Sequence, residues 1–229
     1  MGETDLLECV AIEPRGEARS AVIWLHGLGA DGNDFPPIIP MLGLPDSLGI
    51  RWIFPNAPVR PVTLNFGMRM RAWYDVSMLD EERHYPEEDI LEATRQIEAL
   101  IARERARGIP ARRIVLVGFS QGGAIAMHTA LRHAERLAGL GALSTYLVRG
   151  DALDEEAADA NRDLPVFMAH GTHDPMVKYR WAEAARDRLV ALGYPVEFES
   201  YPMEHQVVQE EVDDLGAFLG RCLATEDAE

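Results

Sequence analysis

The chain of 229 residues is short of several things, and each shortage excludes a class of protein. Cysteine occurs twice, as Cys9 and Cys222 near opposite ends. Neither C-x-x-C metal spacing nor a disulfide framework can be built from such a pair, and both are expected to be free, buried thiols. Long apolar runs are missing as well. No stretch approaches the length of a membrane span, and the opening Met1-Gly2-Glu3-Thr4-Asp5 is acidic where a secretory leader would be basic. Positive charge is scarce: 22 Lys+Arg stand against 38 Asp+Glu, a net charge of −16 and a pI of about 4.8. That field repels phosphate backbones and anionic head groups, so the expectation is no nucleic acid, no stable membrane insertion and a cytoplasmic location.

What is there suits a globular fold. Hydrophobic residues make up 47% of the chain, and 19 Gly and 14 Pro are ordinary numbers for a soluble domain. One domain over 1–229 is expected, with 225–229 frayed. Apolar, β-branched runs at 20–25, 50–54, 113–117, 137–143, 165–169 and 195–201 read as strands, mostly buried on both faces. Helical patterns fall between them at 86–107, 121–132, 179–192 and 206–223. In the longest, Pro86 fits the first helical position, Glu87, Glu88 and Asp89 favour the positive end, Arg103, Arg105 and Arg107 the negative end, and Gly108 closes it. Strands alternating with helices imply an α/β fold: a mostly parallel central sheet with helices on both faces. Ligand sites in such folds form beyond the carboxyl ends of the strands.

Gly118-Phe119-Ser120-Gln121-Gly122 lies at such an end, directly after the strand 113–117 and opening the helix 121–132. This is the strand–turn–helix setting of a nucleophile elbow, a turn so tight that side chains flanking the serine by two residues would collide with its neighbours. A serine needs a neutral imidazole to take its proton and a carboxylate to orient that imidazole. In the order serine, acid, histidine, the candidates after later strands are Asp174 and His205. Backbone N–H groups of Gln121 and of Leu28, in Leu25-His26-Gly27-Leu28-Gly29 after the strand 20–25, are the expected oxyanion donors. His84, His128 and His133 read as surface or packing residues. A second reading takes His170, His173 and Asp174, with His26 or His205, as metal ligands. A third makes the chain a non-catalytic ligand-binding protein, which would need a broken triad.

Several further blocks, among them Phe54-Pro55-Asn56-Ala57-Pro58-Val59-Arg60-Pro61-Val62-Thr63-Leu64, Ala72-Trp73-Tyr74-Asp75, Leu143-Ser144-Thr145-Tyr146 and Met203-Glu204-His205, extend over nearly the whole chain. With the elbow and the His26-Gly27 segment they resemble the carboxylesterase/acyl-protein thioesterase (lysophospholipase-like) family, in its bacterial carboxylesterase branch. The resemblance implies an α/β-hydrolase without a large lid domain, no cofactor, no metal, and a Ser120–Asp174–His205 triad acting on esters, with thioesters open to the same chemistry. It also implies that Leu28, Leu64, Tyr146 and Met176 wall the acyl site. One departure is Glu204, where the family usually has an uncharged residue. The apolar groups of the loop 57–75, Leu64, Phe66, Met68, Met70 and Trp73, are too many for a solvated turn and place that loop, Met68 included, beside the substrate. The expected partner is a small-molecule ester with a short, uncharged acyl chain; a homodimer is left open.

Overall fold

Valine, isoleucine and aromatic side chains fit a pleated surface, and here such runs end in turns that hand the chain to helices. The computed structural model describes residues 6–79 and 82–224, and the tail expected to fray, 225–229, lies outside them. The strands are β1 (Cys9–Ile12), β2 (Ser20–Leu25), β3 (Ile50–Pro55), β4 (Val59–Val62), β5 (Met68–Arg71), β6 (Ser77–Leu79), β7 (Glu82–His84), β8 (Ile114–Phe119), β9 (Gly139–Leu143), β10 (Val166–Gly171) and β11 (Val196–Tyr201). The helices are α1 (Glu87–Ala106), α2 (Gln121–Arg132), the short α3 (Leu153–Glu156), α4 (Tyr179–Ala191) and α5 (Gln209–Leu223). Among the described residues no helix is long and apolar enough to cross a membrane.

One seven-stranded sheet runs in the order β1-β3-β2-β8-β9-β10-β11. β1 is antiparallel to β3, and the other neighbours pair in parallel. Alternation along a strand splits the core in two: Ala21, Ile23 and Leu25 of β2 face one layer, Val22 and Trp24 the other. Ile90 and Ile97 of α1, Ile125 of α2 and Leu189 of α4 cover the first. Val212, Leu215 and Phe218 of α5, with Leu42 of the turn Pro36–Leu42, cover the second.

The differences from the sequence reading are local. β1 has no counterpart there, because Cys9–Ile12 is short and only half-buried to exposed, with no alternation to mark it. β11, expected to be buried on both faces, forms the sheet edge, so Val196 and Phe198 pack inward while Glu197 and Glu199 meet water. Pro86 caps α1 rather than opening it, with φ −64° and ψ 127°. α5 starts at Gln209, since the residues before it complete the turn that carries His205. The stretch 57–75, read as a loop, contains the antiparallel ribbon β4–β5, and a second ribbon, β6–β7, follows it. Cys9 and Cys222 are free thiols, half-buried rather than fully buried, and burial pushes both up, Cys222 to about 12.

Candidate active site

Parallel strands end at the same side of the sheet, so the residues that follow β2, β8, β10 and β11 converge there. Ser120 follows β8 with φ 54° and ψ −120°, a conformation that side-chain-bearing residues rarely adopt. The strain is locked by hydrogen bonds. Ser120 N–H donates to Leu143 O at 2.9 Å, and Ser120 O accepts from Ala124 N–H at 3.1 Å and Thr145 Oγ1 at 2.6 Å. The flanking glycines are a steric requirement: a Cβ on Gly118 would run into the Gly122 backbone, and one on Gly122 into the carbonyls of Leu25 and His26.

Ser120 Oγ lies 2.9 Å from His205 Nε2, and His205 Nδ1 lies 2.6 Å from Asp174 Oδ2. A carboxylate only accepts, so Nδ1 carries the proton and Nε2 is left to accept from the serine hydroxyl. The second oxygen of Asp174 accepts the N–H groups of Met176 and Val177, both at 2.8 Å. Burial pushes the Asp174 carboxyl up, but the hydrogen bonds from His205 and those two amides outweigh it and hold it below the usual carboxylate range. Phe119 packs against the His205 ring, centroids 4.8 Å apart.

Gln121 opens α2, so its N–H has no partner inside the helix. Leu28 N–H makes no hydrogen bond among the described residues, although the neighbouring Gly29 N–H donates to Arg71 O. Both residues line the cleft with Ser120 and His205. The Leu28 turn is braced by His26, which reaches Gly27 O with Nδ1 and accepts the Ala57 N–H at Nε2, and whose carbonyl accepts from Trp73 Nε1. Burial lowers the His26 pKa, keeping the ring neutral for that acceptor role.

The side chain of Gln121 has a role that nothing in the sequence marks. Its Oε1 accepts the Trp73 N–H and its Nε2 donates to Tyr74 O, both at 2.8 Å, which fastens the segment 57–85 onto the elbow. Asp75 accepts from Thr63 N–H and Oγ1, Asp89 accepts from Asp75 N–H, and Leu64 N–H donates to Val76 O. These bonds hold Leu64 and Val76 in the cleft wall, which the Leu28 turn and Met176 complete.

Of the expected wall residues, Leu28, Leu64 and Met176 line the cleft, a cavity of about 260 Å³. Met68 does not: it stands on the ribbon β4–β5 with 63% of its surface exposed, and Phe66 beside it is fully exposed. Tyr146 is buried and hydrogen-bonds Tyr74 at 2.6 Å between hydroxyls, lining a neighbouring cavity instead. A wall residue that the sequence reading did not single out is Arg83, on β7.

The competing histidines are dispersed. His170 is fully buried, its Nε2–H donating to Val177 O at 2.8 Å, while His173 lies on the surface. No group of three His, Cys, Asp or Glu side chains is arranged as metal ligands among the described residues. His128 is buried against Thr94 and lowered to about 3 by burial, and His133 pairs with Glu98. Glu204 is exposed, and its carbonyl, not its carboxylate, is engaged, by Gln206 N–H.

Known proteins share this arrangement of strands. The sequence model of the phospholipase/carboxylesterase family matches residues 7–223. The acyl-protein thioesterase 1 of Cryptococcus neoformans var. neoformans is 38% identical over 236 aligned positions, 95% of this chain and 98% of the relative. The crystal structure of Zea mays acyl-protein thioesterase 2 superposes with a TM-score of 0.84 at 30% identity, covering 95% of this chain and 99% of that one. Arabidopsis thaliana SOBER1 gives 0.83 at 31% identity, over 90% and 100%. The chain therefore belongs to the phospholipase/carboxylesterase family and has its α/β-hydrolase fold.

Proposed function

We propose that the protein is a serine hydrolase of small, mainly short-chain carboxylic esters that works through an acyl-enzyme on Ser120. The observation that carries this reading is the unbroken hydrogen-bonded line from Asp174 through His205 to Ser120, which stands on a strained turn at the base of an open cleft. Oγ attacks the ester carbonyl carbon while His205 Nε2 takes its proton. The N–H groups of Leu28 and Gln121 receive the developing oxyanion. As the bond to the leaving oxygen breaks, the imidazolium returns the proton to that oxygen. Water then repeats the attack on the acyl carbonyl with the same ring as base, and Ser120 is released with its proton. Asp174, held ionised, fixes the tautomer and stabilises the imidazolium at each step.

The small cleft and its apolar members Leu28, Leu64, Val76 and Met176 favour a short acyl chain. Thioesters present the same carbonyl with a better leaving group, and the relatives named acyl-protein thioesterase favour that second activity. The same reading puts the enzyme in the cytoplasm, where two free thiols stay reduced. The test is labelling with a fluorophosphonate, followed by hydrolysis of p-nitrophenyl esters from acetyl to dodecanoyl beside an acyl thioester. Label on Ser120 and a kcat/KM maximum at short chains are expected. Activity of the Ser120→Ala protein within about tenfold of the parent overturns the assignment.

A further inference from the structure

Beside the cleft lies a larger cavity of about 460 Å³, and Arg83 lines both. Its Nη2 donates to Met176 O at 2.6 Å and its Nη1 to the Tyr146 hydroxyl at 3.3 Å, so this one side chain stands where the two spaces meet. We propose that the outer cavity binds a negatively charged oxygen group, a carboxylate or phosphate, carried by the substrate at the end remote from the scissile bond, with Arg83 as its receptor. The proposal rests on the reading of Ser120 as an ester nucleophile.

Three guanidinium groups line the outer cavity, and two of them are already neutralised. Arg149 is gripped by Glu156 through both nitrogens and by Glu87, and Arg188 is paired with Asp154. Arg83 differs. It has no carboxylate partner among the described residues, its hydrogen bonds go to neutral oxygens, and its Nε is buried without an acceptor. The rings of Tyr146 and Trp181 lie 4.7 and 5.2 Å from its guanidinium carbon and pack beside it. What remains is a second N–H on each terminal nitrogen, donors suited to the oxygens of a carboxylate or phosphate. In a chain of net charge −16, a half-buried guanidinium with no carboxylate partner among the described residues is an unusual placement, and an anion arriving with the substrate would complete it.

Asp34 in the cleft wall and Asp151 in the outer wall oppose a second negative charge, so the fit is to a single anion. Leu64 and Val76 on one side, Leu147 and Tyr85 on the other, suit an apolar or aromatic stem between that anion and the ester. The apolar walls read from the sequence favour an uncharged acyl chain near Ser120. Arg83 adds a charged terminus farther out.

The test compares p-nitrophenyl butyrate with p-nitrophenyl hemiglutarate, which carries the anion on the acyl half, and phenyl butyrate with 4-butyryloxybenzoate, which carries it on the leaving group. In Arg83→Met the ratio of kcat/KM for the anionic over the matching neutral ester is expected to fall about tenfold or more for one of the two pairs, mainly through KM, with part of the loss recovered in Arg83→Lys. The pair that responds identifies the half lying in the outer cavity. Equal losses for neutral and anionic esters in both pairs overturn the proposal. Calorimetry of benzoate and benzamide needs no turnover: benzoate bound about tenfold or more weakly by Arg83→Met, with benzamide unaffected, supports the site, and equal benzoate affinities overturn it. Should the parent hydrolyse none of the four esters, the ester reading of Ser120 fails, and the benzoate measurement alone decides the cavity.

Discussion

The floor of the cleft and its wall are built by different means. Ser120, Asp174, His205 and Leu28 each follow a strand of one parallel sheet, so backbone geometry places them. Much of the wall comes from the segment 57–85, held to the floor by Gln121 on Trp73 and Tyr74 and His26 on Ala57, to itself by Asp75 on Thr63, and to α1 by Asp89 on Asp75. The floor takes its positions from the sheet, while Ala57 and Trp73 of the wall reach it only through His26 and Gln121.

The sharpest way to break that division is to compare two histidines from the neighbouring loops after β10 and β11. His205→Ala is expected to lower kcat by about three decades or more, because the triad acts as a unit, whereas His173→Ala, on the surface, should stay within about twofold. Steady-state kinetics on p-nitrophenyl butyrate decides it. Comparable losses would mean that the base has been misassigned.

Floor and wall also differ in how far the sequence alone reveals them. The elbow is legible because its geometry demands particular residues: glycines where any Cβ would strike the neighbouring backbone, and a serine between a strand and a helix. Asp174 and His205 follow from chain order and from lying after strands. Met68 is misread because an apolar residue in an antiparallel ribbon faces the cleft or the solvent according to the ribbon's register and tilt, neither of which has a local signature. Tyr146 is misread for a similar reason: its hydroxyl is claimed by Tyr74, a partner far off in sequence. Arg83 is hidden among acids, where a charge ordinarily means a solvated face.

The join between the two regions is the next place to press. Gln121→Met removes both side-chain hydrogen bonds to the wall while leaving in place the backbone N–H proposed as an oxyanion donor. It strands the buried Trp73 N–H and Tyr74 O, each at a cost of about 1–3 kcal/mol. Thermal unfolding should show a Tm lower by several degrees, and kcat/KM should fall through KM more than kcat. A drop confined to kcat would mean that the amide serves the reaction rather than the wall.

Within the wall, Leu64 and Met68 separate lining from proximity. Leu64→Ala is expected to lower kcat/KM for a butyrate ester by about tenfold or more, since one methylene in a hydrophobic pocket is already worth about tenfold or more. Met68→Ala should change it by less than about twofold, since that side chain stands in water. Equal effects would place Met68 over the bound acyl chain, with the ribbon β4–β5 folding down on the substrate.

The smallest effect concerns the stability of the floor rather than its chemistry. α5, which follows the His205 turn, begins with a buried carboxyl, Glu211, whose oxygens have no hydrogen-bond partner of ordinary geometry. Burial raises it to about 8, and the nearby Val208 amide, which favours the ionised form, offsets only part of that. A group whose folded pKa lies above its unfolded value, about 4.3 for glutamate, contributes stability that is fully present below that value and is lost as pH rises through the folded pKa. Glutamine keeps the shape without the titration. The Tm of the parent relative to Glu211→Gln should therefore fall as pH rises from 5 to about 8 and level off beyond it, by about 3 °C or more in total. Parallel Tm curves over that window would mean that Glu211 finds a proton-independent partner in solution.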